Sequence, residues 1–274
     1  MEVRVTVPAL RSHKVADGRT PLVMVTAYDA PSARIADEAG VDLILVGDSV
    51  AMVVLGYEDT LQVGVADMAH HTAAVARTSP RALVVADLPW LSYHRDRADT
   101  VGNAGALVRA GAAAVKLEGG RVRVPMVSAL VDAQIPVMGH LGLTPQSVHV
   151  MGGFKVQAQD DEAAAALLAD ASALVDAGVF AIVLEGVPAD VAASVTDAVD
   201  VPTIGIGAGR HCDGQVLVFH DLLGLQDRLA PRFVRRYADL KAEGVKAVAA
   251  FAGDVRTGAF PSDSESYVRR GWGR

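Results

Sequence analysis

The sequence predicts a (β/α)8 barrel of the TIM type as a single domain over residues 1–274, with a polar tail from about 258, and three observations predict it. Eight short apolar runs rich in Val, Ile and Leu recur along the chain without polar alternation. Such runs are strands buried on both faces. Segments with apolar residues at helical spacing separate them, and alternation of this kind implies parallel pairing, because each helix carries the chain back to start the next strand. The length suits one barrel. A doubly wound open sheet is the alternative that the same alternation permits.

The strands are read at "PLVMVTAYD", "VDLILVGDS", "ALVVADLP", "AAVKLEGG", "IPVMGHLG", "AIVLEGV", "VPTIGIGAG" and "QVLVFHDLLG". The intervening helices are "APSARIADEAG", "VADMAHHTAAVARTS", "DRADTVGNAGALVRAG", "VPMVSALVDAQ", "DEAAAALLADASALVDAG" and "PADVAASVTDAVD", with a last helical stretch at 231–258. A quasi-repeat supports this order: "DEAGVDLILVGDS", "VRAGAAAVKLEGG" and "VDAGVFAIVLEGV" each run helix, Ala-Gly, strand, acidic residue. Gly40, Gly111 and Gly178 fit the positions just past helix ends, where positive φ is easiest for glycine. The longest irregular region, residues 140–162, reads as a functional loop over the barrel mouth.

Half the chain is hydrophobic (51%) but only 5% is aromatic, so the core is built from Ala, Val, Leu and Ile. Net charge is −7 with no Lys/Arg track, which argues against nucleic acid as a partner. No apolar run reaches the roughly 20 residues of a membrane span, and the N-terminal "MEVRVTVPALRSHK" lacks a secretory apolar core. Cys212 is the one cysteine, which excludes intramolecular disulfides and suits a cytoplasmic protein.

The strands end in charge. Asp48, Asp87, Glu118, His140 and Glu185 end the second to sixth, and Lys116 lies on the same side of its strand as Glu118. In a parallel barrel these ends converge on the face where active sites are assembled. Four carboxylates brought together need a compensating cation or shared proton, and oxygen donors favour a hard ion such as Mg²⁺. Each residue also has a bland reading. A lone acid past a strand is often a helix N-cap, Ser49 can cap the next segment, His140 can be a satisfied core histidine, and Lys116 can snorkel. Caps do not explain acids on four of five successive strand ends. The glycine-rich "IGIGAGRHCDG" reads as a tight turn or a phosphate site, and adjacent His70 and His71 face different directions on their helix.

The segments "VDLILVGDSVAMVVLGYEDTLQV", "VVADLPWLSY", "VKLEGG", "PVMGHLGLTPQSVHVMGGFKVQ", "VLEGVP" and "IGIGAGRHCDGQVLVFHDLLG" closely resemble the ketopantoate hydroxymethyltransferase family, from about Val5 to Tyr267. The resemblance implies transfer of a hydroxymethyl group from 5,10-methylenetetrahydrofolate to 3-methyl-2-oxobutanoate, giving 2-dehydropantoate for pantothenate biosynthesis. It also implies Mg²⁺ and a homodecamer of barrels. Residue by residue, it implies Asp48 and Asp87 as Mg²⁺ ligands, with Glu118 in the metal site, directly or through water. Ser49, Lys116 and His140 join Asp48 and Asp87 around the keto acid, and Glu185 is the proton acceptor. The chain departs from the family at Ala51, Gln62, Gly64, Glu265 and Tyr267. Two other readings compete. One is a lyase or mutase of the isocitrate lyase and phosphoenolpyruvate mutase group, whose "KKCGH"-like loop carries a cysteine, whereas Cys212 lies beyond the seventh strand. The other is a non-catalytic keto-acid-binding barrel.

Overall fold

The structure is a computed structural model that describes residues 4–226 and 231–267. The helices are α1 (Val7–Arg11), α2 (Ala30–Glu38), α3 (Val50–Val53), α4 (Val65–Ala76), α5 (Arg97–Arg109), α6 (Val124–Asp132), α7 (Val148–Met151), α8 (Asp161–Asp176), α9 (Ala189–Ala198), α10 (Phe219–Leu222) and α11 (Leu240–Thr257). The strands are β1 (Leu22–Thr26), β2 (Leu43–Val46), β3 (Leu83–Asp87), β4 (Ala114–Glu118), β5 (Val137–Gly142), β6 (Ala181–Glu185), β7 (Thr203–Ile206) and β8 (Gly214–Leu217). They form a closed, all-parallel barrel in sequence order, and β8 returns to pair with β1 at Leu22↔Gly214 and Met24↔Val216. The open-sheet alternative is therefore excluded.

All eight expected strands are present. The eighth is shorter than its apolar run, because the chain turns into α10 at Phe219. The last helix starts at Leu240 rather than 231; Asp239 caps it by accepting a hydrogen bond from Ala242 N–H. Inside the expected irregular region 140–162 lie a 3-10 turn (Pro145–Ser147) and α7. Gly40, Gly111 and Gly178 have φ of +82°, +113° and +100°, as helix ends require.

The described residues divide into two compact units, residues 4–219 with 231–234 and residues 220–226 with 235–267. The first holds the barrel. The second holds α11, none of whose residues is buried, and the part of the polar tail up to 267; the tail's end, 268–274, lies outside the described residues.

Period-two alternation places the core and the chemistry on one inner face. Leu43 and Leu45 of β2, Leu83 and Val85 of β3, Ala114 of β4, Met138 of β5 and Ala181 and Val183 of β6 form one buried cluster. Each such Val or Leu contributes about 1.5–3 kcal/mol. Continuing by twos, the same face carries Asp87 on β3, Lys116 and Glu118 on β4, His140 on β5 and Glu185 on β6. Register then sets them side by side: Asp87↔Lys116, Glu118↔His140 and Gly142↔Glu185 are Cα partners.

The opposite end is closed by the N-terminal segment. Leu10 of α1 joins the core cluster, and Val5 N–H donates to the carbonyl of Arg81, just ahead of β3. Lys14 Nζ lies 2.7 Å from Asp213 Oδ2 and also donates to the Thr196 carbonyl. Asp213 further accepts from the Val15 and Thr203 N–H groups. Removing the ammonium with Lys14→Met leaves a buried carboxylate without its counter-charge. A loss of about 3–5 kcal/mol is expected, read by urea unfolding, with turnover per folded molecule unchanged; an unchanged midpoint would contradict the assignment.

Candidate active site

The site lies at the C-terminal ends of β2 to β6. Gly47 ends β2's run because the bend there has no room for a side chain: a Cβ would meet Ser49 Oγ at 2.9 Å and Asp87 Oδ2 at 3.5 Å. That bend turns Asp48 to its neighbours. The Asp48 N–H donates to Asp87 Oδ2 at 3.1 Å, and Lys116 Nζ lies 2.8 Å from Asp87 Oδ1. Ser49 begins α3 without a side-chain cap; its hydroxyl instead shares a 2.8 Å hydrogen bond with the phenol of Tyr28, past the end of β1. The backbone carbonyl of Tyr28 is 2.7 Å from Nδ1 of His71.

On the other side His140 sits between two carboxylates. Its Nδ1 is 3.4 Å from Glu118 Oε1, and its Nε2 is 3.2 Å from Glu185 Oε2. Gly142 lets Glu185 come this close: its φ is +89°, and a Cβ there would stand 2.3 Å from the Glu185 carbonyl, which accepts the Leu143 N–H. Asp48, Asp87, Lys116, Glu118 and His140 are each at most 4% exposed; the Glu185 side chain is 17% exposed. The structure thus gathers the site residues expected from the sequence at one end of the barrel, with Ser49 next to Asp48 in the chain and bonded to Tyr28 rather than to the charged cluster.

Burial is the leading electrostatic influence. It pushes the Asp48 carboxyl well above its usual range, and repulsion from Asp87 and Glu118 adds to it. Burial raises Asp87 too, despite the Lys116 ammonium beside it. Burial would favour neutral Lys116, but Asp87, Glu118 and Asp48 outweigh it and raise its pKa. For His140, burial and Lys116 act downward, yet hydrogen bonds to Glu118 and Glu185 push it up to about 9. A protonated ring makes the 3.2 Å approach of Lys116 Nζ to Nδ1 a like-charge contact rather than a hydrogen bond.

The carboxylates outnumber the cations around them, and both Asp48 and Asp87 are driven toward neutrality by their own burial. A divalent cation relieves that frustration, so the donor chemistry fits one. Among the described residues no group of three or more His, Cys, Asp and Glu side chains is arranged to hold a metal. A hard ion that keeps several waters, as Mg²⁺ does, needs no more than one or two protein carboxylates. Glu118 is already engaged, accepting the Gln146 N–H at 3.0 Å.

A family model described as ketopantoate hydroxymethyltransferase matches residues 4–263. The chain belongs to this family. It is 57% identical over 265 residues to the 3-methyl-2-oxobutanoate hydroxymethyltransferase of Moorella thermoacetica, covering 96% of this chain and 98% of that one. With 3-methyl-2-oxobutanoate hydroxymethyltransferase 2 of Bradyrhizobium diazoefficiens it shares 58% identity over 264 residues, covering 96% and 89%. Membership of this family makes the protein a transferase, so the non-catalytic reading falls away. Among solved structures, a 2,3-dimethylmalate lyase of the PEP mutase/isocitrate lyase superfamily matches with a TM-score of 0.62 at 20% identity, covering 97% of this chain and 93% of that one. Phosphonopyruvate hydrolase matches at 0.63 and 15%, covering 95% and 93%. These likenesses carry the fold alone. Cys212, the residue on which the lyase reading turns, is buried just ahead of β8 beside Thr203 and Thr196, at the end of the barrel away from the site.

The glycine-rich segment after β7 is a packing device. A Cβ on Gly209 (φ +77°) would lie 2.4 Å from that of Ala189, and one on Gly207 (φ +62°) 2.7 Å from the Phe233 ring. Three residues of the site were not read from the sequence. Tyr28 stands in "TAYD" at the end of the first strand run, Tyr93 in "WLSYH", and Gln146 in "GLTPQ". The last two lie past strand ends, where the period-two alternation that marks inward side chains has stopped.

Proposed function

We propose that this protein transfers a hydroxymethyl group from 5,10-methylenetetrahydrofolate to 3-methyl-2-oxobutanoate, forming 2-dehydropantoate for pantothenate biosynthesis. The observation that carries the reading is the pairing of two unlike halves at the C-terminal ends of neighbouring strands. On one side are the frustrated carboxylates Asp48 and Asp87 with Lys116; on the other is Glu185, held by His140. The first half suits a 2-oxo acid bound beside a cation, and the second suits removal of a proton one carbon away.

In this reading Asp48 and Asp87 would hold Mg²⁺, with Glu118 in the same metal site. When bound, the cation supplies Lewis-acid polarisation of the 2-oxo group. Lys116 holds the substrate carboxylate, and Ser49, oriented by Tyr28, hydrogen-bonds the same end of the molecule. Glu185 takes the C3 proton as general base. The imidazolium of His140 fixes one oxygen of Glu185 by its 3.2 Å contact and lies in the wall beside the developing negative charge. C3 then bonds to the folate-borne methylene. Both carbon–nitrogen bonds of that methylene break and water supplies the hydroxyl, so that tetrahydrofolate leaves with two new N–H protons, one from C3 and one from water.

A cytoplasmic homodecamer belongs to the same reading. Supporting an assembly, α11 exposes Val245, Val248, Phe251 and Val255, at 47–67% exposure. No helix of the described residues is long and apolar enough to cross a membrane. The test is direct. Keto acid and methylenetetrahydrofolate incubated with the protein and Mg²⁺ are expected to yield 2-dehydropantoate by mass spectrometry, and EDTA is expected to stop it. Absence of the product under saturating substrates would overturn the reading.

A further inference from the structure

The segment "GLTPQ" after β5 carries a residue that the mechanism above does not use. Gln146 is buried, sits in the middle of the 3-10 turn Pro145–Ser147, and touches two of the site's carboxylates at once. Its side-chain amide donates to Asp48 Oδ2 at 2.8 Å and to the Leu88 carbonyl at 3.0 Å, while its backbone N–H donates to Glu118 Oε2 at 3.0 Å. Among the described residues this amide is the only side chain that hydrogen-bonds the Asp48 carboxylate.

The direction of the chain of bonds is fixed from its far end. The Glu118 N–H donates to the Tyr93 oxygen at 3.2 Å, so the phenol proton turns away and is given to Gln146 Oε1 at 2.6 Å. With its oxygen so occupied, Gln146 can offer only Nε2 to Asp48; the flipped amide would set oxygen against oxygen at one end and two donors against each other at the other. Tyr93 is itself locked, 1% exposed and covered by the Arg123 guanidinium 5.5 Å from its ring centre. The circuit begins and ends on Glu118, through its backbone N–H and its carboxylate, and the Gln146 amide branches from it to Asp48.

We propose that Gln146, clamped by Tyr93, is a positioning residue that sets the orientation of Asp48 and its spacing from Glu118, and so prepares the cation site. This rests on the reading of Asp48 as a cation ligand. Gln146 holds one carboxylate oxygen of Asp48 and leaves the other for the ion. Groups that orient ligands in this way typically change metal affinity by about 10–100-fold when removed.

The probe is Mn²⁺ alone, titrated into the full-length protein and followed by electron paramagnetic resonance, with thermal melting recorded alongside. Gln146→Leu is expected to weaken Mn²⁺ binding by about 10–100-fold. Tyr93→Phe, which deletes one oxygen and leaves the amide unclamped, is expected to give a smaller loss in the same direction. A merely structural role would lower the melting temperature and leave the affinity of the folded protein alone. Unchanged Mn²⁺ affinity in folded Gln146→Leu overturns the proposal; should that variant not fold, unchanged affinity in Tyr93→Phe does so. A wild-type protein that binds no Mn²⁺ overturns the cation reading first and this proposal with it.

Discussion

Glu185→Gln is expected to lower turnover by about 10²–10⁴-fold, the usual worth of a positioned general base. The substitution keeps the side chain's shape and leaves an amide oxygen to face His140 Nε2, which stands 3.2 Å from Glu185 Oε2. Folding and keto-acid affinity should therefore be little changed, and the loss should fall on kcat rather than KM. Steady-state kinetics on the purified variant, with circular dichroism as the folding control, checks it. Turnover within a few-fold of wild type would remove Glu185 from the base's role.

Asp48→Asn is expected to act in two opposite directions. Activity falls with the loss of a cation ligand, while the metal-free protein becomes more stable. The folded Asp48 carboxyl has a pKa raised well above 3.8, first by burial and then by Asp87 and Glu118. The folded state accordingly binds protons more readily than the unfolded chain, and stability falls as pH rises from near 3.8 through the folded value. At neutral pH the ionised group costs stability, which asparagine does not. The variant should melt higher than metal-free wild type at pH 7, the difference shrinking on acidification, with about 2–4 °C for each kcal/mol relieved. Mg²⁺ at about 100 times its Kd should add about 2.7 kcal/mol to wild type, and much less to the variant. Thermal scans across pH with and without Mg²⁺ decide it. A variant that melts lower than metal-free wild type would show that Asp48 is not held under electrostatic strain.

The barrel and most of its site were legible for one reason: the side-chain period of a strand is two. Once Leu83 and Val85 are assigned inward, Asp87 follows, and Ala114 carries Lys116 and Glu118 with it. Asp48 and Ser49 are harder, since they follow the bend at Gly47 rather than the strand's alternation. Gln146 and Tyr93 were not legible, because loop residues are placed by the path of the chain in three dimensions and no short-range pattern encodes that path. The start of α11 was read nine residues early for a similar reason. Apolar residues such as Phe233 and Val234 continue the helical pattern, but Phe233 packs where Gly207 leaves room for its ring. The resemblance to the family supplied what spacing alone did not, namely the proposal that Glu185 is the base and that Asp48 and Asp87 are the cation ligands.

The central claim is that Asp48 and Asp87 on one side and Glu185 on the other cooperate to remove the proton from C3 of a 2-oxo acid. Deuterium exchange at C3 of 3-methyl-2-oxobutanoate, followed by NMR in D₂O, tests it most directly, because it isolates proton removal from carbon–carbon bond formation. With tetrahydrofolate present, wild-type protein with Mg²⁺ is expected to catalyse exchange, and EDTA or Glu185→Gln is expected to abolish it. Exchange that persists without the divalent ion, or that survives the loss of Glu185, would contradict the account.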